Sequence, residues 1–570
     1  MDTRRLILFV IFSFSIMMLW DSWQRKDKPV ETAAQTAQTT STRAVSDVVG
    51  AGANAGAVGS ASNGQFKLEN GQRIQVSTDL FQAEIDTIGG DLRYLALKKH
   101  RATEVKDGNY VLMSDAQTPM LYIAQTGLMG KDLPSHRALF TSAASTYAMA
   151  EGAASQEVRL SWVGTGAASG ITVDKIYNFK RGSYVIDLSY QINNGSAAAI
   201  TPTAYYQFVH DSESKQGSKM MPTFTGGAYF TNDAKFKKLS FSDMAKKDAS
   251  ETKDDALITS KDGWIGLIEH YFAAAWIPKA GVNREFYTKK LTDKLYAIGV
   301  VMPVANIAAG SSAKANTQLF AGPQTQADLA KAATGLEFAV DFGWLTIIAA
   351  PLFWVLSKLH GVVGNWGVAI ILLTFLLKAA FYPLSAKSYR SMAQMREVAP
   401  RLQAMKEKFG DDKQKMQQAM MELYRTEKIN PMSGCLPILI QMPVFISFYW
   451  MLLATVELRH APFFGWIQDL SAPDTLFGTV PWLNMPVGLL PILMGATMII
   501  QTSLNPPPTD PIQAKVMKVM PVVFSVFFFF FPAGLVLYWL VNNILSIVQQ
   551  WYVNKTIHAA ALLKKGNAAK

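Results

Sequence analysis

The chain has 570 residues, too many for one ordinary domain, and its one cysteine, Cys435, excludes an internal disulfide. Hydrophobic residues make up 49% of the chain and charged residues 17%, and the long apolar runs after about residue 338 are typical of a polytopic membrane protein. The net charge of +11 suits nucleic acid or an anionic membrane surface, but no nucleic-acid motif is visible, which favours basic cytoplasmic loops as its source.

The N-terminus has the pattern of an export signal that is kept as an anchor. Arg4 and Arg5 precede an apolar run over 6–20, and no small-residue cleavage site follows immediately. We therefore predict a transmembrane signal anchor over 1–24. Residues 25–63 are mostly small or polar and cannot bury enough apolar area to offset their ordering entropy, which predicts a flexible tether.

Over 64–335 the hydrophobic period changes to two, which predicts a large antiparallel β-sandwich. The clearest hairpin has strands over 171–179 and 184–192, with a turn at Arg181 and Gly182. Further strands are predicted over 73–85, 157–162, 204–209, 264–269, 273–277 and 295–302.

The apolar run that begins near residue 336 must break. One helix of about 45 residues would be about 68 Å long, over twice the hydrocarbon thickness. Gly361, Gly364 and Asn365 mark the break, and the Trp and basic residues before it predict an interfacial amphipathic helix over 338–361. The later predictions are transmembrane helices over 362–384, 431–456, 486–504, 516–531 and 534–555, a cytoplasmic helical hairpin over 385–430, a periplasmic loop over 457–485, a cytoplasmic loop over 505–515 and a basic cytoplasmic tail over 556–570.

The charges of the loops predict the orientation of the six spans. The hairpin and the tail are rich in Lys and Arg, so the positive-inside rule places both in the cytoplasm. Six spans then place the N-terminus in the cytoplasm and the β-domain outside. The loop over 457–485 also falls outside, and it is poor in Lys and Arg, as expected.

Lys378 is a cation within an otherwise apolar predicted span. Inserting a Lys at a helix centre costs roughly 2.5–3.5 kcal/mol, so such a residue usually faces a hydrated cavity or a partner. Lys378 is near the cytoplasmic end of its span, and snorkelling to the interface is the alternative. Thr374, one turn earlier on the same face, favours a polar groove. Other candidate lining residues, each of which can instead join two helices, are Gln441, Gln501, Asn542 and Asn543.

The cytoplasmic hairpin has the signals of two helices joined by a short turn. Gly410 ends the first helix, and Asp411 and Asp412 begin the second. Its methionines form a flexible apolar surface that suits varied ligands, or they pack the seam between its two helices. These methionines are Met392, Met395, Met405, Met416, Met420 and Met421.

Recognisable catalytic and cofactor motifs are missing from the sequence. We find no metal-ligand cluster, nucleotide-binding glycine pattern or nucleophile elbow, and we predict no cofactor and no metal site. The pairs His210-Asp211 and Glu269-His270 in the β-domain stand apart from each other in the chain and carry no predicted catalytic role.

Five segments, taken in order, closely resemble the YidC/Oxa/Alb family of membrane-protein insertases. They are Tyr382-Pro383-Leu384, Gly410-Asp411-Asp412-Lys413, Asn430-Pro431-Met432-Ser433-Gly434-Cys435-Leu436-Pro437, Gln441-Met442-Pro443-Val444-Phe445 and Phe531-Pro532-Ala533-Gly534-Leu535-Val536-Leu537-Tyr538-Trp539. The resemblance is strong over 340–555 and weaker over the anchor, tether and β-domain.

The resemblance implies a fold and a mechanism. The β-domain is expected to be a mutarotase-like supersandwich without established catalysis, and the five C-terminal spans are expected to enclose a hydrophilic groove open to the cytoplasm. Lys378 takes the position of the groove cation, where many relatives have Arg, so bidentate carboxylate pairing is lost while attraction is kept. The resemblance places Thr374 and Trp539 at the substrate exit. The residues predicted for the groove are Lys378, Thr374, Gln441, Tyr538, Trp539 and Asn542, and those predicted for the recruiting hairpin are Met405, Gly410, Asp411, Asp412, Met416 and Met420.

The function so implied is that of an insertase and chaperone without bond-making catalysis, acting alone or with the Sec translocon. The implied partners are nascent inner-membrane proteins, the Sec translocon (SecYEG and SecDF), the ribosome and signal-recognition machinery, and the lipid bilayer. Two alternative functions make different predictions. A secondary transporter coupled through Lys378 predicts inverted repeats, which we do not find, and a membrane-anchored carbohydrate enzyme needs only one or two spans.

Overall fold

The structure, a computed structural model, describes residues 68–102, 108–116, 121–212, 223–248, 256–409, 412–427, 436–483, 485–505 and 511–568. The predicted signal anchor and tether lie outside these residues. The described chain divides into two units. The β unit runs to Asp341 and includes Ala454–Val456, and the helical unit comprises Phe342–Leu453 and the residues from Glu457 onward.

Strands dominate the β unit. In chain order they are β1 (Arg73–Ser77), β2 (Phe81–Asp86), β3 (Leu92–Arg101), β4 (Asn109–Met113), β5 (Tyr122–Met129), β6 (Thr141–Ser142), β7 (Thr146–Ala148), β8 (Ser155–Val163), β9 (Ile171–Lys180), β10 (Val185–Asn194), β11 (Thr203–Asp211), β12 (Gly226–Thr231), β13 (Lys235–Leu239), β14 (Ala256–Ser260), β15 (Trp264–Ile268), β16 (Phe272–Pro278), β17 (Arg284–Lys290), β18 (Leu295–Pro303) and β19 (Ser311–Pro323). Two short helices accompany them, α1 (Phe241–Asp248) and α2 (Gln326–Ala332).

These strands form two sheets that share one apolar core. The first has the order β14-β17-β18-β11-β5-β3-β2-β1-β7, with β4 beside β3, and the second has the order β13-β12-β15-β16-β19-β10-β9-β8-β6. The pairing is antiparallel except between β1 and β7. Buried side chains of both sheets meet in one cluster, among them Ile85, Phe208, Tyr190 and Trp276. The predicted β-sandwich is confirmed.

The predicted hairpin over 171–192 is also confirmed. β9 and β10 pair with Phe179 opposite Ile186, and Gly182 in the turn has φ 69°. Burial alternates along both strands, so each second side chain reaches the core, and full burial of such a side chain contributes about 1.5–3 kcal/mol.

The prediction of one strand over 73–85 is wrong, because β1 and β2 form a hairpin within it. Thr78 makes the turn: its hydroxyl oxygen accepts from the backbone N–H groups of Leu80 and Phe81. The period-two pattern continues through the turn and conceals it. β5 was not predicted, because it is buried almost throughout and lacks the alternation by which a half-buried strand is found. β11 and β18 are also buried almost throughout, but they match the strands predicted over 204–209 and 295–302.

The helical unit contains eight of the described α-helices. They are α3 (Thr346–Val363), α4 (Trp366–Ala380), α5 (Tyr382–Phe409), α6 (Lys413–Thr426), α7 (Leu436–Ala454), α8 (Leu489–Ser503), α9 (Pro511–Phe528) and α10 (Ala533–Ala568). A two-stranded ribbon of β20 (Thr479–Val480) and β21 (Met485–Pro486) lies between α7 and α8.

Local chemistry sets the helix ends. Gly364, with φ 67°, caps α3, and the Asn365 side chain accepts from the N–H of Val368 to start α4, at the break that the sequence indicates. α4 and α5 are bent by 67° relative to each other. α9 and α10 are separated at Phe531-Pro532, the second predicted break.

Length and hydropathy single out few complete spans among the described residues. The helical stretch Gly343–Val363 is long and apolar enough to cross a membrane, and the bent pair of α4 and α5 qualifies if it counts as one span. The apolar stretches Gln441–Ala454 and Leu489–Ser503 are shorter. The six-span arrangement therefore stays a prediction.

Candidate functional site

An open cavity lies in the helical unit around Lys378. Its polar lining comes from α4, α5, α7 and α10, and the rest of the lining is apolar. The lining residues are Thr374, Leu377, Lys378, Phe381, Leu384, Ser385, Gln441, Val444, Tyr538 and Asn542. Five of the six residues predicted for the groove are among them.

Lys378 lies in the last turn of α4 and is half-buried. Its Nζ donates to Ser546 Oγ of α10 over 2.7 Å, and Ser546 Oγ in turn donates to the carbonyl oxygen of Asn542 over 2.7 Å. Tyr389 of α5 is also hydrogen-bonded to Ser546. Among the described residues no carboxylate forms an ion pair with Lys378, so its positive charge faces the cavity uncompensated.

The side-chain amides of Gln441 and Asn542 line the same cavity as Lys378. Gln441 Nε2 donates to Asn542 Oδ1, which joins α7 to α10, and Tyr538 is hydrogen-bonded to Gln441. Tyr538 and Asn542 are buried, and Tyr538 stacks on Phe448 with ring centroids 4.5 Å apart. These bonds hold polar groups in place before any ligand arrives, so a ligand pays little to order them.

Thr374 lines the cavity, but its hydroxyl group is hydrogen-bonded within α4. Thr374 is buried, and its Oγ1 donates to the carbonyl oxygen of Ile370 over 2.7 Å. It contributes a small surface, and the free hydrogen-bonding groups of the site lie on Lys378, Gln441 and Asn542.

Trp539 does not line this cavity. Its ring packs edge-on against Phe445 at 4.5 Å and lies 5.5 Å from Phe528, so it faces α7 and α9. Trp539 Nε1 is buried and has no hydrogen-bond partner among the described residues. Of the other two amides considered, Asn543 Nδ2 donates to Thr497 Oγ1 of α8 over 3.3 Å, which fits a joint between helices, and Gln501 is half-buried outside the cavity.

The two helices of the predicted hairpin pack on each other. Their seam consists of Val398 and Leu402 of α5 with Met395, Met420, Leu423 and Tyr424. Met405 and Met416 are half-buried outside this seam, and Met421 is exposed. Asp412 Oδ1 accepts from the N–H of Lys415 and caps α6, which lowers the pKa of that carboxyl. Gly410 and Asp411 lie outside the described residues.

Two family models together match most of the chain. Residues 73–355 match the YidC periplasmic domain, and residues 358–560 match the 60Kd inner membrane protein. The chain belongs to the YidC family of membrane-protein insertases. This family is an inner-membrane family with a periplasmic domain.

Curated relatives of high identity belong to this family. A YidC membrane protein insertase of Methylobacillus flagellatus is 59% identical over 575 residues, covering 100% of both chains, and one of Nitrosospira multiformis is 48% identical, covering 98% of both. A crystal structure of active YidC insertase is 18% identical with a TM-score of 0.38, covering 85% of this chain and 93% of that one. A galactose mutarotase related enzyme from Lactobacillus acidophilus is 12% identical with a TM-score of 0.29, covering 44% and 97%. Both relatives are membrane protein insertases, which favours insertion over secondary transport.

In the YidC periplasmic region the fold joins two pairs that the sequence leaves apart. His210 Nε2 lies 3.3 Å from Glu269 Oε1, and Tyr110 Oη donates to Glu269 Oε2 over 2.8 Å. Their separation in sequence gave no signal of this contact. Among the described residues no group of three or more His, Cys, Asp or Glu side chains suits a metal ion.

A buried charge cluster in the same YidC region was also missed. Lys175 Nζ lies 3.9 Å from Asp91 Oδ1, and Arg93 Nη2 lies 3.6 Å from Asp91 Oδ2. All three side chains are almost fully buried. Lys175 is in phase with Val173 and Tyr177 on the core side of β9, so the alternation of the sequence already held this signal.

Proposed function

We propose that this chain inserts and assists the folding of inner-membrane proteins by drawing polar segments of a nascent protein into the cavity around Lys378. The observation that carries the proposal is the uncompensated ammonium of Lys378 facing Gln441 and Asn542 within helices whose outer surfaces are apolar. The proposal needs no bond-making catalysis and no cofactor.

The physical argument concerns the cost of moving polar groups through a bilayer. Transfer of an unpaired amide into an apolar medium costs roughly 2–7 kcal/mol, and a charge costs far more. A cavity with fixed amides and a cation lowers that cost for acidic and polar segments. The apolar segment of the substrate then supplies the driving force as it enters lipid, at about 25 cal/mol per Å² of apolar surface.

Lysine rather than arginine at position 378 suits attraction more than tight pairing. The Lys378 ammonium already uses one donor on Ser546, which leaves donors for a passing carboxylate. It lacks the planar fork that holds a carboxylate by two parallel bonds. A cation that attracts a substrate and must then release it benefits from this weaker binding.

The topology that accompanies this function has six spans and cytoplasmic termini. If α3 crossed the membrane as a seventh span, the basic hairpin of α5 and α6 would face the periplasm, against the positive-inside rule. Exposed Trp344 lies just before α3 and exposed Trp354 lies within it, with Lys358 Nζ 6.0 Å from the Trp354 ring, a pattern typical of an interfacial helix. We therefore place α3 at the interface and the hairpin in the cytoplasm.

The partners that we propose follow from family membership. Substrates are nascent inner-membrane proteins in the bilayer. The Sec translocon with SecYEG and SecDF, the ribosome and the signal-recognition machinery meet the chain in this proposal, and the basic hairpin with half-buried Met405 and Met416 and exposed Met421 is the surface offered at the cytoplasmic side.

Reversal of the charge at position 378 tests the proposal. We expect Lys378→Arg to keep insertion and Lys378→Glu to impair it for substrates with acidic translocated tails, since a carboxylate in the cavity repels them. The measurement is protease protection of the translocated tail in vesicles that contain each full-length variant. Lys358→Glu, which changes the same charge on α3 away from the cavity lining, is the matched control. Normal insertion of acidic tails by Lys378→Glu would refute the electrostatic role.

A further inference from the structure

The segment between α7 and α8, here called the aromatic loop (residues 457–488), displays its large apolar side chains to the outside. Trp482 is 82% exposed, Phe464 63% and Phe477 60%. Leu476, Leu483 and Trp466 are also exposed. A loop that faces water normally buries such groups and displays polar ones, so this surface requires an apolar neighbour.

The aspartates of the aromatic loop, unlike its aromatic side chains, are hydrogen-bonded within the protein. Asp474 is buried, and its two oxygens accept from the N–H groups of Leu476 and Leu490. Asp469 accepts from the N–H groups of His460 and Ser471, and His460 Nδ1 lies 3.0 Å from Asp469 Oδ2. Glu457 and Arg459, the other charged residues, lie half-buried in the first turn of the loop. The exposed tips of the loop therefore carry no charge.

Hydrogen bonds fix the aromatic loop across the N-terminal ends of three helices. Asn365 Nδ2, at the start of α4, donates to the carbonyl oxygen of Phe463 over 3.2 Å. The N–H of Leu490, in α8, donates to Asp474 Oδ2 over 2.9 Å, and the N–H of Gly534, in α10, donates to the carbonyl oxygen of Leu470 over 2.9 Å. The loop thus stands at a fixed height relative to these helices.

That height follows from the lengths of the helices. α4 and α8 have 15 residues each, so each rises about 22 Å, whereas the hydrocarbon core is about 30 Å thick. Helices that start from the cytoplasmic interface and rise about 22 Å end within the opposite leaflet. The aromatic loop at their N-terminal ends therefore lies at the outer edge of the hydrocarbon, and not in bulk water.

We propose that the aromatic loop is seated in the boundary between headgroups and acyl chains of the periplasmic leaflet, with Trp482, Phe464 and Phe477 in contact with lipid. Trp and other aromatic side chains favour this boundary, where an amphipathic ring meets both apolar and polar surroundings. Since the tips carry no Lys or Arg, the contact is apolar and independent of lipid charge.

Depth-dependent quenching of a fluorophore tests this seat in the full-length chain. Cys435, the only cysteine, is replaced by Ala, and single cysteines at 482 and 464 are labelled with an environment-sensitive dye in vesicles. Val163 in β8, an apolar side chain with 65% exposure in the β unit, gives the matched control position. Each labelled variant must retain insertion activity, and two loop positions guard against a local defect at one of them.

We expect dyes at 482 and 464 to be quenched by nitroxide placed near the top of the acyl chains and protected from aqueous iodide, with a blue-shifted emission. The dye at 163 shows the reverse. The result is the same in zwitterionic and in anionic vesicles. Quenching of the loop dyes by iodide at the level of the 163 dye overturns the proposal, as does protection from iodide without nitroxide quenching, which indicates a protein neighbour. Seating that requires anionic lipid refutes the apolar basis.

Discussion

At the scale of single residues, the cation of the cavity depends on one hydroxyl. Ser546 Oγ accepts a hydrogen bond from Lys378 Nζ over 2.7 Å, and a hydrogen bond to a charged group contributes about 1.5–3 kcal/mol. We expect Ser546→Ala to leave the ammonium less well placed and to lower the insertion rate for acidic tails, while Ser546→Thr restores it. Protease-protection kinetics measure the effect. Ser503→Ala, which removes an exposed hydroxyl of α8, is the control. Equal rates for Ser546→Ala and the unchanged chain would contradict the positioning role.

The buried pair of Asp91 and Lys175 predicts a pH dependence in the β unit. Burial raises the pKa of the Asp91 carboxyl to about 6, and burial lowers the pKa of the Lys175 ammonium to about 8. The contribution of Asp91 to stability is present below its unfolded pKa of about 3.8 and is lost as the pH rises through 6. That of Lys175 is present above about 10.5 and is lost as the pH falls through 8. Stability from this pair is thus lowest between pH 6 and 8.

Asp91→Asn removes the contribution of the Asp91 carboxyl group to the pH dependence of stability. We expect the opening free energy of β5, measured by hydrogen exchange, to fall for the unchanged chain relative to Asp91→Asn as the pH rises from about 4 to about 6. Tyr177→Phe removes an adjacent uncharged hydrogen bond, to the carbonyl oxygen of Gly90, and its effect should not vary over that range. A constant difference between Asp91→Asn and the unchanged chain would show that the carboxyl does not titrate there.

A site residue can be predicted from the sequence when its own chemistry marks it, but not when its role depends on a partner far away in the chain. Lys378 is evident because a cation in an apolar helix is costly wherever it points. Its hydroxyl partner Ser546 is not evident, because 168 residues separate the two. The same holds for His210 and Glu269. Neighbouring residues in the sequence need not share a site. Trp539 follows Tyr538 in the chain, but a helix turns by about 100° per residue, so Trp539 lies on another face of α10 and outside the cavity.

At the scale of elements, the seam between α5 and α6 decides whether the hairpin holds together. Leu402 is buried in that seam, and Leu→Ala in a core costs about 2–5 kcal/mol. We expect Leu402→Ala to speed hydrogen exchange of α6 by more than about tenfold, since about 1.4 kcal/mol corresponds to a factor of ten.

The control for Leu402→Ala is the ion pair at the end of the same hairpin. Arg401 Nη1 lies 2.6 Å from Glu427 Oε1, but Arg401 is largely exposed, so Glu427→Gln should cost less than about 1 kcal/mol. An equal effect of the two changes would mean that packing does not dominate the hairpin.

Elements are predictable where their periodicity differs from that of their neighbours. β9 and β10 alternate and end at a glycine turn, so both were located. The turn at Thr78 preserves the alternation on both sides, so β1 and β2 merged into one predicted strand. β5 was not predicted: it is buried on both faces, and only tertiary packing distinguishes such a run from other apolar segments.

At the scale of the whole molecule, the division into β and helical units follows from composition alone. The predicted boundary near 335–338 lies close to the observed one at Asp341. The number of spans is harder to derive, because α3 passes the same length and hydropathy test that defines a span, and only the loop charges separate an interfacial helix from a crossing one.

The six-span topology can be tested by determining on which side of the inner membrane each loop lies. In a Cys435→Ala background, single cysteines replace Val163 in β8, Lys408 in α5 and Lys555 in α10, all exposed. We expect a membrane-impermeant maleimide to label position 163 once the outer membrane is opened. Positions 408 and 555 should react only after the inner membrane is lysed, because an even number of crossings returns the hairpin and the C-terminal end to the cytoplasm. Labelling of position 408 without lysis would mean that α3 crosses the bilayer, and the basic hairpin would then violate the positive-inside rule.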